Sequence, residues 1–264
     1  MNPAPPSDRR DVTEAAGGSA AISPGPGYDR RYFERAYFDD HPGKRRSHAE
    51  VVRRLRAAGL SSGHVLDIGA GAGYLMRALE EGGYQASGLD HADEALLIAR
   101  ARAEAEHRTI DVRLGDVCER IPWPDDSFDA VIMHDVIEHL PDDLAAVNEV
   151  KRVLRPGGYA LISTMNAGGL LARVLGSRWA FYDDPTHLRP YDLPALVALF
   201  GYQGFRVRVW QTYFDLNKAG ETTPAFGPLR RLGCVLPGFG LGETALLVVQ
   251  RPYLETPAWN AKRS

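Results

Sequence analysis

Three stretches of the sequence hold side chains whose types and spacing suit chemistry. In the first, Asp67 precedes Gly69, Gly71 and Gly73 within Val65-Leu66-Asp67-Ile68-Gly69-Ala70-Gly71-Ala72-Gly73-Tyr74-Leu75. Glycines at this spacing let a turn adopt positive φ and let a ligand come close to the backbone. Tyr74 stands where a dinucleotide fingerprint has its third glycine. The acidic Asp67 suits a ligand with a cationic amino group and would disfavour a pyrophosphate. A tight strand-to-helix turn with no ligand is the plainer alternative. The second stretch is His134-Asp135-Val136-Ile137-Glu138-His139. Its spacing places Asp135, Glu138 and His139 within one helical turn. His139 could serve there as a general base, or the three could join a distant histidine in binding a divalent cation that polarises a hydroxyl. Oxygen and imidazole ligands together suit magnesium or manganese, but such a cluster is also a common hydrogen-bonded helix terminus. The third stretch centres on His187, in Asp184-Pro185-Thr186-His187-Leu188-Arg189-Pro190-Tyr191, and follows Trp179, Phe181 and Tyr182.

The elements that must position these residues alternate along the chain. Short apolar, β-branched runs predict strands over 64–68, 86–89, 112–114, 130–134, 159–164, 205–211 and 245–250. Helical patterns fall between them at 74–81, 92–106, 144–153, 170–175 and 193–199, and a further helix over 47–58 has Val51, Val52 and Leu55 on one face and stops at Gly59. This rhythm implies a mainly parallel sheet with helices on both faces, a doubly wound α/β fold. Ligands of such sheets lie beyond the carboxyl ends of the strands, where strand order reverses, and that is where the glycines fall.

The 264 residues fit one α/β domain with appendages. Prolines and glycines dominate residues 1–27, which lack apolar periodicity and read as a disordered tail. From Tyr28 the aromatics Tyr32, Phe33, Tyr37 and Phe38 follow at spacings that line one side of a short helix, so residues 28–58 read as a helical cap within a domain spanning 28–264. A proline- and glycine-rich insertion over 212–243 has the length of a lid or binding loop. The net charge of −3 offers phosphate backbones no broad attractive field, so nucleic acid is not the default partner. Cys118 and Cys234 form neither a disulfide framework nor a zinc spacing. With no apolar run long enough for a membrane span and no apolar signal core, the expected location is cytoplasmic.

Through five segments the chain resembles the class I S-adenosylmethionine-dependent methyltransferases: 65–75, Gly88-Leu89-Asp90, Gly115-Asp116-Val117, 128–140 and Leu154-Arg155-Pro156-Gly157-Gly158. The resemblance covers roughly residues 50 to 165. It implies a Rossmann-like, seven-stranded sheet with an antiparallel last strand, which the 205–211 and 245–250 pair could supply. It also implies that S-adenosyl-L-methionine is held by the glycine turn and Asp67, with Asp90 accepting from the ribose hydroxyls, His91 beside adenine, Asp116 accepting from the adenine amino group, Val117 packing on the ring, and His134 at the end of the fourth strand.

The Asp-x-x-Glu-His segment is similar to the Glu-x-x-Glu-His of ubiquinone-biosynthesis O-methyltransferases and of small-RNA terminal 2′-O-methyltransferases, which have another histidine after the fifth strand. That likeness implies a metal set of Asp135, Glu138, His139 and His187, with aspartate in place of the first glutamate. His187 has a second reading, as a pocket-lining residue beside the aromatics, and a third as plain loop packing. The functional expectation is O-methylation of a small molecule such as a quinone precursor, sugar or secondary metabolite, with Glu138, His139 and His187 catalytic. An RNA 2′-O-methyltransferase is the alternative on the same fold. A non-catalytic nucleoside-binding module is the alternative of another class, since function resides in the site and not the scaffold. Oligomeric state is not legible in the sequence.

Overall fold

The computed structural model describes residues 42–215 and 235–253. The expected tail over 1–27, the aromatic stretch over 28–38 and the centre of the lid-like insertion, 216–234, lie outside the described residues. The described elements are α1 (Pro42–Ala57), β1 (His64–Ile68), α2 (Tyr74–Glu81), β2 (Gln85–Asp90), α3 (Asp93–Ala105), β3 (Asp111–Leu114), β4 (Phe128–His134), α4 (Asp143–Val153), β5 (Leu154–Met165), α5 (Leu170–Leu175), α6 (Leu193–Tyr202), β6 (Arg206–Asp215), β7 (Val235–Pro237) and β8 (Thr244–Gln250).

The strands form one sheet in the order β3-β2-β1-β4-β5-β8-β6-β7. Strands β1 to β5 run parallel, while β8 lies antiparallel to both β5 and β6. The Rossmann-like sheet with an antiparallel last strand is therefore present, and β7 adds a three-residue edge against Tyr213–Asp215. Because β1 is flanked by β2 and β4, strand order reverses at β1 and opens a crevice at its carboxyl end.

Side chains alternate across the strands and build two cores. Leu66, Val131, Ile162 and Leu247 pack with Val147 of α4 and Phe200 of α6. Val65, Ile132, Leu161 and Leu246 pack with Leu55 of α1, Met76 of α2 and Leu96 of α3. Every residue of β8 is buried, because both faces of this part of the sheet are covered.

Three boundaries differ by four residues or more from those the residue pattern predicts. Helix α1 begins at Pro42, a residue preorganised for the first helical turn, upstream of the expected start at 47. Strand β5 begins at Leu154, because Phe128 pairs with Leu154 ahead of a register shift, although Pro156 and two glycines argue locally against a strand. Strand β6 runs on to Asp215, inside the expected insertion, because β7 gives its last residues a partner.

Candidate functional site

The glycine turn is tied to β2 before any ligand is considered. The backbone N–H groups of Gly69 and Ala70 donate to the Leu89 carbonyl at 2.8 and 3.0 Å. Asp90 closes the link: its Oδ2 accepts from Gly71 N at 2.8 Å and its Oδ1 from Ala92 N at 2.9 Å. Gly69 has φ +74°, and a Cβ there would lie 2.6 Å from Val136 Cγ2, so the turn has room only for glycine. Asp67 is buried beneath the turn. Burial and the neighbouring Asp90 charge raise its carboxyl well above the ordinary value. Burial also raises Asp90, in part offset by the N–H groups of Ala92 and Gly71.

The other residues expected on this side lie at successive strand ends. His91 is half exposed, with Nδ1 3.6 Å from Asp90 Oδ1. Asp116, partly buried, accepts from Cys118 N at 2.8 Å, and Val117 is buried against the core. His134, at the end of β4, pairs through Nδ1 with the Ser163 hydroxyl. Its Nε2 lies 3.4 Å from Ser47 Oγ, and the His48 ring stands edge-on at 6.2 Å. Helix α1 thus brings polar side chains to the carboxyl edge, which sequence reasoning missed; the signal is the Ser47-His48 pair in the opening turns of an otherwise ordinary amphipathic helix.

After β4 the expected single helical turn is divided. Asp135 has φ +56°, and its N–H donates to the Ser163 carbonyl at 2.9 Å, so it finishes the strand. A 3₁₀ turn over Ile137–His139 then carries Glu138 and His139. Glu138 is buried, and its carbonyl accepts from Leu188 N and Arg189 N at 2.8 and 3.2 Å, which docks the loop that bears His187. The His139 and His187 ring centroids are 4.7 Å apart. Ligand atoms of Glu138, His139 and His187 all lie within 4.8 Å of one another, and Asp135 is not part of that group. Desolvation lowers the His139 pKa, and the charge of His187 lowers it further.

Each of these imidazoles is fixed by a backbone carbonyl. His139 Nδ1 lies 3.2 Å from the Thr186 carbonyl and 2.9 Å from its hydroxyl, while His187 Nδ1 lies 2.6 Å from the Phe181 carbonyl. Phe181 stacks on His187 at 4.5 Å and on Trp179 at 5.0 Å. Trp179 and Phe181 are buried, whereas Tyr182 is exposed. The aromatics therefore back the histidine and leave only Tyr182 open to solvent.

Residues 66–162 match the family model described as a methyltransferase domain. The chain is 35% identical over 176 residues to the ubiquinone biosynthesis O-methyltransferase of Xanthomonas campestris pv. campestris, covering 61% of this chain and 74% of that protein. It is 37% identical over 140 residues to the malonyl-[acyl-carrier protein] O-methyltransferase of Serratia marcescens, covering 52% of each; the match spans about half the length of that relative. A crystal structure of an Aquifex aeolicus SAM-dependent methyltransferase superposes with a TM-score of 0.59 at 17% identity, over 85% of this chain and 99% of that one. The chain belongs to the class I S-adenosylmethionine-dependent methyltransferases.

The residues present fit that cofactor. Val136 fills the space a Cβ would take at Gly69, which fixes the tight turn at the end of β1, and buried carboxyl groups at the ends of β1 and β2 suit a ligand with an ammonium group and ribose hydroxyls. Among the described residues no helix is long and apolar enough to cross a membrane.

Proposed function

We propose that the chain transfers the methyl group of S-adenosylmethionine to a hydroxyl oxygen of a small molecule, with a divalent cation held by Glu138, His139 and His187. The observation that carries the acceptor side is the convergence of one carboxylate and two imidazoles, two of them on the turn that follows Val136, which packs against Gly69. Relatives described as O-methyltransferases support oxygen as the acceptor atom. Small-molecule scale is supported by the modest net charge and by the aromatic backing of His187.

Bound S-adenosylmethionine supplies a methyl group activated on a sulfonium. Asp67 would accept from its ammonium group, Asp90 from the ribose hydroxyls and Asp116 from the adenine amino group, with Val117 packing on the ring and His91 and His134 at the rim. The cation would supply Lewis acidity to the acceptor hydroxyl, and magnesium or manganese suits this donor set. Asp135, beside His134 and outside the close group, would act on the cation only from a second layer. A reading without metal makes His139 a general base, favoured by the burial that keeps its imidazole neutral.

Methylation of a panel of catechols, phenols and hydroxylated metabolites, followed by cofactor consumption with and without EDTA, tests both readings. The metal reading expects activity to vanish with chelator and return with magnesium or manganese. Undiminished turnover in EDTA would leave the general-base reading in its place, and absence of cofactor binding by calorimetry would remove both.

A further inference from the structure

We infer that Thr186 and Asp184 are positioning residues: a hydrogen-bond relay from Asp184 through the Thr186 hydroxyl holds His139 in the tautomer that carries its proton on Nδ1 and presents Nε2 to the acceptor. The relay deepens the function proposed above. It depends on that reading for its effect on the reaction, but not for the tautomer itself.

The assignment follows from counting protons. Asp184 Oδ1 lies 2.6 Å from Thr186 Oγ1 and 2.8 Å from Thr186 N. An ionised carboxylate only accepts, so the single hydroxyl proton of Thr186 is donated to Asp184. The lone pairs of Thr186 Oγ1 are then what face His139 Nδ1 at 2.9 Å, and that nitrogen must be the donor. The Thr186 carbonyl, which can only accept, lies 3.2 Å from the same atom and requires the same proton. His187 is set alike by the Phe181 carbonyl at 2.6 Å from its Nδ1. With both Nδ1 atoms committed as donors, Nε2 is the nitrogen by which each ring would meet a cation or a substrate proton; His187 Nε2 also lies 4.0 Å from Asp184 Oδ2. One segment, residues 181–187, therefore orients both imidazoles, and it is docked on the turn bearing Glu138 and His139 by Leu188 N and Arg189 N.

A loop that merely closed on itself through Asp184 would leave the weaker carbonyl contact alone to bias the His139 tautomer, and this difference is measurable. In the full chain labelled with ¹⁵N-histidine, long-range ¹H–¹⁵N correlation reports which ring nitrogen is protonated, with His139→Gln identifying the signals. The wild-type His139 should carry its proton on Nδ1. Thr186→Val leaves Nδ1 only the longer 3.2 Å contact to the Thr186 carbonyl and should raise the fraction protonated on Nε2, and Thr186→Ser should keep the wild-type state. Asp184→Ala should free the hydroxyl to donate to Nδ1 and give a mixture of tautomers. Thr186→Val should also lower methyl-transfer kcat/KM by about 10- to 100-fold with cofactor affinity unchanged, the usual effect of losing a group that orients a reacting histidine. Cofactor affinity also reports whether each variant folds. A wild-type His139 protonated on Nε2, or tautomer populations unchanged in both Thr186→Val and Asp184→Ala, would overturn the relay. An Nδ1 proton in a wild-type chain that binds no cofactor would support the relay and overturn the proposed reaction.

Discussion

At Asp67, burial works against the charge that the proposed contact with an ammonium group requires. Its carboxyl is raised above the ordinary 3.8 by burial first and by Asp90 second, so the folded chain holds this proton more tightly than the unfolded chain does. The corresponding stability is fully present below 3.8 and is lost as pH rises through the raised value. At neutral pH Asp67→Asn should therefore raise the melting temperature of the ligand-free protein. The same substitution removes the anionic acceptor for an ammonium group. It should weaken cofactor binding by about 1.5–3 kcal/mol, roughly 10- to 150-fold in affinity, by calorimetry. Lower stability together with unchanged affinity would contradict both expectations. Gly69 shows a different constraint, set by backbone and space. Gly69→Ala must hold an L-residue at φ +74° and push Val136 Cγ2 aside, which should cost about 1–3 kcal/mol in urea unfolding. Adding Val136→Ala should relieve the contact but not the dihedral, so only part of the loss should return.

The loop that bears His187 is held by a clamp between elements. Asp143, in the first turn of α4, accepts from Tyr191 Oη at 2.5 Å and pairs with Arg189, whose Nη1 also lies 3.2 Å from Tyr191 Oη. Tyr191 is buried, and burial pushes its phenol up, so the hydroxyl remains a donor. The neighbouring α4 is itself capped by Asp142, which accepts from Ala145 N at 2.9 Å. Tyr191→Phe removes one arm of the clamp and leaves the ring packed. It should cost about 1 kcal/mol of stability and raise the acceptor KM, while cofactor affinity stays unchanged. Equal losses on both substrates would mean that the clamp serves the fold alone.

Across the whole molecule, β8 joins the two cores. Leu246 and Leu247 are adjacent in sequence, yet each packs into a different layer, beneath α1–α3 and beneath α4 and α6 respectively. Either leucine changed to alanine should cost about 2–5 kcal/mol, and each variant should still unfold in a single transition by circular dichroism and by intrinsic fluorescence. Separate transitions for the two probes would show that the layers unfold independently. Much of this architecture is legible in the residue pattern because its causes are local. The α2 span from Tyr74 to Glu81 and the β1 span from His64 to Ile68 follow from apolar periodicity beside a glycine turn, and the structure places them at the expected residues. The early start of β5 was not legible, since Pro156, Gly157 and Gly158 read as a break and only pairing with β4 makes them strand.

By itself, the sequence located the residues proposed for the donor side: Asp67, the three glycines, Asp90 and Asp116 fall at or just after successive strand ends, which the period-2 and period-3.6 pattern marks for β1 to β3. Which residues converge on the proposed acceptor side was decided only by tertiary structure. The Asp135-to-His139 spacing predicts one helical turn, but the N–H of Asp135 is claimed by Ser163 of the neighbouring strand, which moves Asp135 out of the close group and leaves Glu138, His139 and His187 within it. Thr186 and Asp184 gave no sequence signal. Their role rests on a hydrogen bond spanning 47 residues, and a contact of that range exists only once the sheet has brought the loop after β5 over the turn after β4.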